Sequence, residues 1–383
     1  MKHQNKIIFA SKPSNSSKNL RLKRLSILII ILSFQFAFSQ GSRKYSNEFL
    51  NIGVDAAAFG MSKSVVATTN DVNAAYWNPA GLSNIKVNQG ALMHTEHFAG
   101  IANYDYAAVA FAPKEENGPV MAISLIRFGV DNILNTTALI DSDGNIDRNR
   151  ITLFSAVDYA LNFAFAKNVS TVKNLSIGLN AKIIRRKIGD FASSIGFGID
   201  LGAQYKLKKW NFGLMLRDIT TSFNAWQINK DSFKSIQDAI PNQNQEAPES
   251  IEITLPKMQL GVARNFVLKN KDFNLLTELD VHVRFAETND LLSSSNISMT
   301  PSLGMQLDYQ KFVFLRAGVG NFQYVNPFND SSSALQFDPN LGIGFKYHGV
   351  QIDYALSNIA SSGSALYSNT FSIKIDFNFL QKR

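Results

Sequence analysis

The chain has no cysteine in its 383 residues. That excludes a disulfide framework and every thiol chemistry, from thiolate metal ligands to a cysteine nucleophile. It also removes the lipidated cysteine on which a bacterial lipoprotein depends. A membrane-length apolar run is absent as well. The most apolar stretch, LSILIIILSFQFAF from Leu25 to Phe38, falls short of the about 20 residues that a spanning helix needs. Lys18, Arg21, Lys23 and Arg24 precede it and Ala37-Phe38-Ser39 end it. Those are the basic, apolar and small-residue parts of a cleaved secretory signal, expected over residues 1–39. Charge of one sign is missing too. The leader holds seven of the 38 lysines and arginines and no acid, so the rest carries 31 basic against 30 acidic residues. A nucleic-acid partner loses its electrostatic support.

What is present is alternation. In FSIKIDFNF, Phe371, Ile373, Ile375, Phe377 and Phe379 share one face, and Ser372, Lys374, Asp376 and Asn378 share the other. LSIGLNAKI, IGFGIDLGAQYKL and FNLLTELDVHVRF repeat the pattern. A period of two is the signature of a β-strand. Soluble sandwiches alternate as well. These runs, however, often exceed the roughly five or six residues of a soluble strand, and they carry charges in mid-strand. Aromatics gather at strand ends, as at Tyr104, Tyr106, Trp210, Phe212, Tyr309, Phe312, Tyr347 and Tyr354.

The pattern predicts fourteen strands, near 89–98, 103–112, 119–129, 152–166, 174–187, 193–207, 210–218, 257–266, 272–285, 300–309, 312–321, 339–347, 350–358 and 370–380. Long connections alternate with short ones, an asymmetry of outer-membrane barrels that a sandwich has no reason to show. The expected fold is therefore an all-β, transmembrane antiparallel barrel over residues 88–383, with its long loops extracellular. A sheet in hydrocarbon must close, because no water satisfies a free edge.

Residues 40–87 break the alternation. This Ala-, Gly-, Ser- and Asn-rich segment is expected to be a hatch that fills the wide lumen. Within it Tyr76, Trp77, Asn78, Pro79, Ala80 and Gly81 stand together. Pro79 fixes φ, Asn78 bonds the next backbone groups and Gly81 permits positive φ, so this is a turn, with Tyr76 and Trp77 packed on the inner wall.

The stretch GVDAAAFGMSKSVVATTNDVNAAYWNPAGLS resembles the N-terminal hatch of FadL-type barrels, whose hallmark is an Asn-Pro-Ala turn, here Asn78, Pro79 and Ala80. FLNIGVDAAAFGMSKSVVA is most similar to the PorV/PorQ branch of the Bacteroidota. That resemblance implies a fourteen-stranded barrel in the cell outer membrane that serves type IX protein secretion. It implies translocon components or cargo proteins as partners. Two alternatives stand beside it: a FadL-type channel for hydrophobic small molecules, and an accessory barrel of another outer-membrane complex.

Other candidates are weighed on their residues. The Ile219–Pro256 connection is the longest, and Trp226, Phe233, Ile236 and Ile240 are its expected partner-binding anchors. Arg185, Arg186 and Lys187 sit at the expected outer rim, where they would meet lipopolysaccharide phosphates and outer-membrane lipid. His94 and His97, three apart on a strand, point to opposite faces and share no metal easily. Asp141 to Asp147 lacks the sixth-position Gly and late Glu of a calcium loop and reads as a turn. Asp280 and His282 share a face without forming a triad. No catalytic residue, metal site or cofactor is expected, and the protein is not expected to be an enzyme.

Overall fold

The computed structural model describes residues 46–97, 100–115, 118–140, 145–230, 251–268, 272–325, 334–359 and 367–377. The expected leader, Asp141 to Gly144, Phe233, Ile236, Ile240 and Phe379 lie outside these residues.

Among the described residues seventeen strands form a single sheet. Fourteen build the wall: β1 (Gln89–His97), β2 (Ala102–Phe111), β3 (Val120–Asn135), β4 (Thr152–Asn168), β5 (Leu175–Ile188), β6 (Ala192–Leu207), β7 (Trp210–Arg217), β10 (Lys257–Val267), β11 (Phe273–Arg284), β13 (Ser298–Tyr309), β14 (Val313–Val325), β15 (Ala334–Tyr347), β16 (Val350–Ser357) and β17 (Ser368–Asp376). Three more lie within connections: β8 (Ser222–Ile228), β9 (Ile251–Thr254) and β12 (Leu292–Ser293). The ladders are antiparallel, and β17 pairs with β1, Gln89 opposite Asp376, which closes the barrel.

Burial runs opposite to that of a soluble protein. On β5 the outward Leu179 is 41% exposed while the inward Lys182 is 4% exposed. The outward face of β15 is apolar from end to end, with Leu335, Phe337, Leu341, Ile343, Phe345 and Tyr347 all exposed. Inward, Asp200, Glu278, Asp280, Arg316 and Asp353 are buried. An apolar exterior around a polar lumen, with the wall's backbone groups paired across strands, is the arrangement that hydrocarbon demands. Tyr205, Trp210, Phe212, Tyr309, Phe312, Phe345 and Tyr347 face outward near the short turns and make one aromatic girdle. On β1 to β3 the apolar belt ends at an outward row of His94, Asp105 and Arg127, joined at 2.7 and 3.3 Å.

The expected strands match these within a few residues, except at the long-loop end of three. β3 runs to Asn135, β14 to Val325, and β15 starts at Ala334. Register shifts between Val130 and Ile133, and between Gly320 and Gln323, change the phase of alternation there. A bulge of this kind hides a strand from a period-two reading. In the longest connection, β8 pairs with both β6 and β9, so part of that loop is a hairpin that prolongs the wall.

Candidate functional site

Residues 46–87 fill the lumen. A 3-10 turn at Glu48–Asn51 leads to α1 (Ala56–Gly60), then α2 (Ala74–Trp77), then a second 3-10 turn at Pro79–Asn84. The Asp55 carboxylate caps α1 by accepting from the Ala57 N–H at 3.2 Å. Asn78 starts the last turn the same way, with its Oδ1 accepting from Ala80 N at 3.2 Å, and Pro79 takes the first helical position, where its missing N–H costs nothing. Alanines let this segment pack at close range: Ala56, Ala74, Ala75 and Ala80 are fully buried.

The wall receives the hatch in notches made of opposed glycines. Gly178 and Gly202 are cross-strand partners on β5 and β6. A Cβ on Gly178 would stand 2.4 Å from Pro79 C and Ala80 N, and one on Gly202 would stand 2.1 Å from Asn78 Oδ1. Two further pairs repeat the device. Gly213 and Gly261 seat Val66 and Ala67, and Gly304 and Gly318 seat Met61 and Ser62. Gly81 departs from its expected role. It does not adopt a positive φ, and its need is close approach, since a Cβ there would lie 2.2 Å from Thr69 O.

Hydrogen bonds then fasten the seated backbone. The Asn78 amide donates to Val66 O at 2.9 Å and to Ala203 O on β6 at 3.1 Å. Asp280 Oδ2 accepts from Val65 N and Val66 N at 3.0 and 3.1 Å, and Glu278 Oε1 accepts from Ala67 N at 2.6 Å. Lys374 pairs with Asp71. Arg217 donates to Tyr76 O at 3.0 Å and lies 4.6 Å from the Tyr76 ring centre. The Trp77 indole N–H donates to Val54 O at 2.9 Å.

Cavities lie on either side of the hatch among the described residues. A vestibule of about 310 Å³ lies towards the long-loop ends of the strands, lined among others by Phe59, Lys63, Arg217, His282, Asp338 and Asn340. A chamber of about 580 Å³ lies towards the short turns, lined by Asp55, Asp71, Gln204, Asp308, Arg316 and Lys374 among others. Among the described residues, Trp77 is the one that lines both. Burial pushes the Lys63 ammonium down to about 8, against the opposing pull of Asp338. Burial pushes the Asp55 carboxyl up to about 6, and Lys374 resists that rise.

The other expected site residues are scattered. Strand alternation splits the rim triplet, which is a correction to reading it as one patch. Arg185 and Lys187 are exposed on the outside. Arg186 points inward, bonded to Asp158 at 2.9 Å and to Glu252 at 3.3 Å. Trp226 belongs to β8 and is half-buried under the Arg186 guanidinium at 5.2 Å, so it is not a free loop anchor. His94 faces outward against Asp105, and His97 faces the vestibule. Among the described residues no three His, Asp or Glu side chains cluster as metal ligands. Sequence reasoning did not single out Lys63, Arg217 or the glycine pairs. The inward glycines of LSIGLNAKI and IGFGIDLGAQYKL were visible as non-apolar positions, but only the register sets them opposite one another.

No family model and no curated protein matches the sequence. Solved structures do match its fold. CymD, a monoaromatic hydrocarbon channel, is 12% identical with a TM-score of 0.52, over 85% of this chain and 98% of its own. A Pseudomonas aeruginosa FadL homologue is 13% identical with a TM-score of 0.48, over 85% and 98%. The Pseudomonas putida toluene transporter TodX is 12% identical with a TM-score of 0.49, over 87% and 98%. CymD is described as a channel and TodX as a transporter. The closed fourteen-stranded barrel of this chain thus has the fold of the CymD channel.

Proposed function

We propose that this chain is an outer-membrane channel of FadL architecture, closed at rest by its hatch. A small molecule enters the vestibule from the extracellular, long-loop end and passes Trp77 into the periplasmic chamber. The observation that carries this reading is the divided lumen, in which a single indole lines both cavities. CymD and TodX are described as carriers of aromatic hydrocarbons. Phe59, Tyr76 and Trp77 would suit such a cargo, and the Lys, Arg, Asn, Ser and Thr side chains around them would not. Conductance in a planar bilayer tests the reading. The wild type should be nearly silent, and Trp77→Ala should open a steady conductance. A variant that stays as silent as the wild type, while a hatch deletion conducts, would place the path elsewhere.

A second reading keeps the protein as a partner-binding barrel of type IX secretion. The dense fastening of the hatch favours it, since a plug tied at each turn suits a barrel that works through its exterior. Arg185 and Lys187, but not Arg186, are then placed to meet outer-leaflet phosphates. Affinity purification in mild detergent separates the two. Recovery with a very large barrel, or with exported proteins bearing sorting domains, supports the secretion reading, and isolation alone after cross-linking counts against it.

A further inference from the structure

Four cationic side chains face the vestibule, Lys63, Arg217, Lys257 and Arg284, against one lining carboxylate, Asp338. Two of the four are neutralised from the side. Lys257 pairs with Glu48 at 3.5 Å, and Arg284 with Asp290 at 3.8 Å. The other two have no carboxylate within ion-pair distance among the described residues. Arg217 spends one donor on Tyr76 O and rests on that residue's ring. Among the described residues the Lys63 ammonium has only the Phe59 ring, at 5.6 Å. Asp338 is engaged by the Asn321 amide at 2.6 Å and acts on Lys63 at longer range.

The backbone is strained to present Lys63. Ser62 and Lys63 follow one another at φ 51° and 66°, the left-handed region that side chains other than glycine avoid. The Asn340 amide holds the Ser62 hydroxyl at 2.6 Å and fixes the bend. A strained turn that places an unpaired, largely buried ammonium in a cavity is unfavourable until an anion joins it. The rest of the lining can bond a polar body. Gln259 Oε1 and Ser357 Oγ are buried there with no partner among the described residues. A cavity of this size matches a small molecule.

We infer that the vestibule binds a compact polar organic anion, whose carboxylate or phosphate group lies between Lys63 and Arg217 and whose polar body meets the Asn, Gln, Ser and Thr side chains of the lining. This deepens the channel reading by naming what the vestibule accepts, and it rests on that reading for the step from binding to passage. An anion carried on an acyl chain offers the same head group, so the test must separate the two sources.

Calorimetric titration of the detergent-solubilised, full-length barrel with succinate, inorganic phosphate, glucose and dodecanoate provides that test. Succinate should bind and phosphate should compete with it, while glucose should not. Lys63→Gln should weaken succinate at least tenfold. Asp338→Asn should tighten it severalfold, a change that damage to the fold would not produce. Each variant is first checked for the compact, heat-modifiable band of a folded barrel on an unheated gel. Absence of succinate and phosphate binding in the folded wild type would overturn the inference. So would binding of dodecanoate alone, or equal affinities in wild type, Lys63→Gln and Asp338→Asn. Bilayer conductance of Trp77→Ala is read separately. Succinate binding without any conductance sinks the channel and keeps the anion site, and conductance without binding does the reverse.

Discussion

Gly178 and Gly202 show what a single atom decides here. Gly178 makes room for the Pro79 and Ala80 backbone, and Gly202 for the Asn78 Oδ1 and the Pro79 ring, which the bonds of the Asn78 amide to Val66 O and Ala203 O hold in place. Gly202→Ala should therefore overpack the notch and cost about 1–3 kcal/mol, with the hatch more open to protease. An alanine barrel as protease-resistant as the wild type would deny the notch its role. Asp55 supplies a second residue-scale expectation. Its carboxyl is raised from 3.8 to about 6 in the folded hatch, so the folded state takes up a proton that the unfolded chain releases. Stability from this group is fully present below pH 3.8 and is lost as pH rises through 6. Asp55→Asn should keep its oxygen as an acceptor and flatten that window. The difference in unfolding midpoint between wild type and variant should grow in the variant's favour from pH 4 to pH 7, and a constant difference would refute this.

At the scale of elements, β11 is the strand that ties the hatch. Its Glu278 and Asp280 stand two residues apart on the inward face and accept three consecutive backbone N–H groups, from Val65 to Ala67. Without such acceptors this irregular stretch would bury orphan donors, at roughly 1–3 kcal/mol each. Asp280→Ala should raise amide exchange at Val65 and Val66 while leaving the β4 to β6 ladder protected. Equal protection at those two amides would show that the clamp is dispensable. The sequence offered half of this. FNLLTELDVHVRF put Glu278, Asp280 and His282 on one face, but a watery lumen explains that pattern equally well. Their role became visible only when the hatch backbone was seen beside them.

For the whole molecule, the governing fact is the inverted solvent. The apolar exterior is suited to lipid, and Leu341, in the middle of the outward face of β15, lies between Ala317 and Leu356. Leu341→Arg should cost about 2–4 kcal/mol if that position sits near the bilayer midplane. Assembly into outer-membrane vesicles, followed by urea titration, measures this, and an unchanged midpoint would move the membrane boundary. The same inversion explains why so many charges are buried inside the barrel, beside the apolar cluster of Phe59, Trp77, Leu82 and Tyr104 that packs the hatch on the wall. Those charges fill a wide lumen as paired networks, such as Lys182 with Asp200 at 2.8 Å and Asp218 at 2.6 Å.

Alternation marked the fourteen wall strands and their two faces, because a strand's faces are written in every second residue. The loop asymmetry added the closed antiparallel barrel, while β8, β9 and β12 escaped both. The Asn78-Pro79 turn was equally local, since cap and ring chemistry act over two or three residues. Only the tertiary structure decided the rest. Which glycines oppose each other depends on the register of neighbouring strands. The partners of Arg186 are Asp158 on β4 and Glu252 on β9, far off in the chain. The division of the lumen at Trp77 depends on how a segment with no period of its own lies against a closed wall. Those are relations between residues far apart in the chain, and no local pattern encodes them.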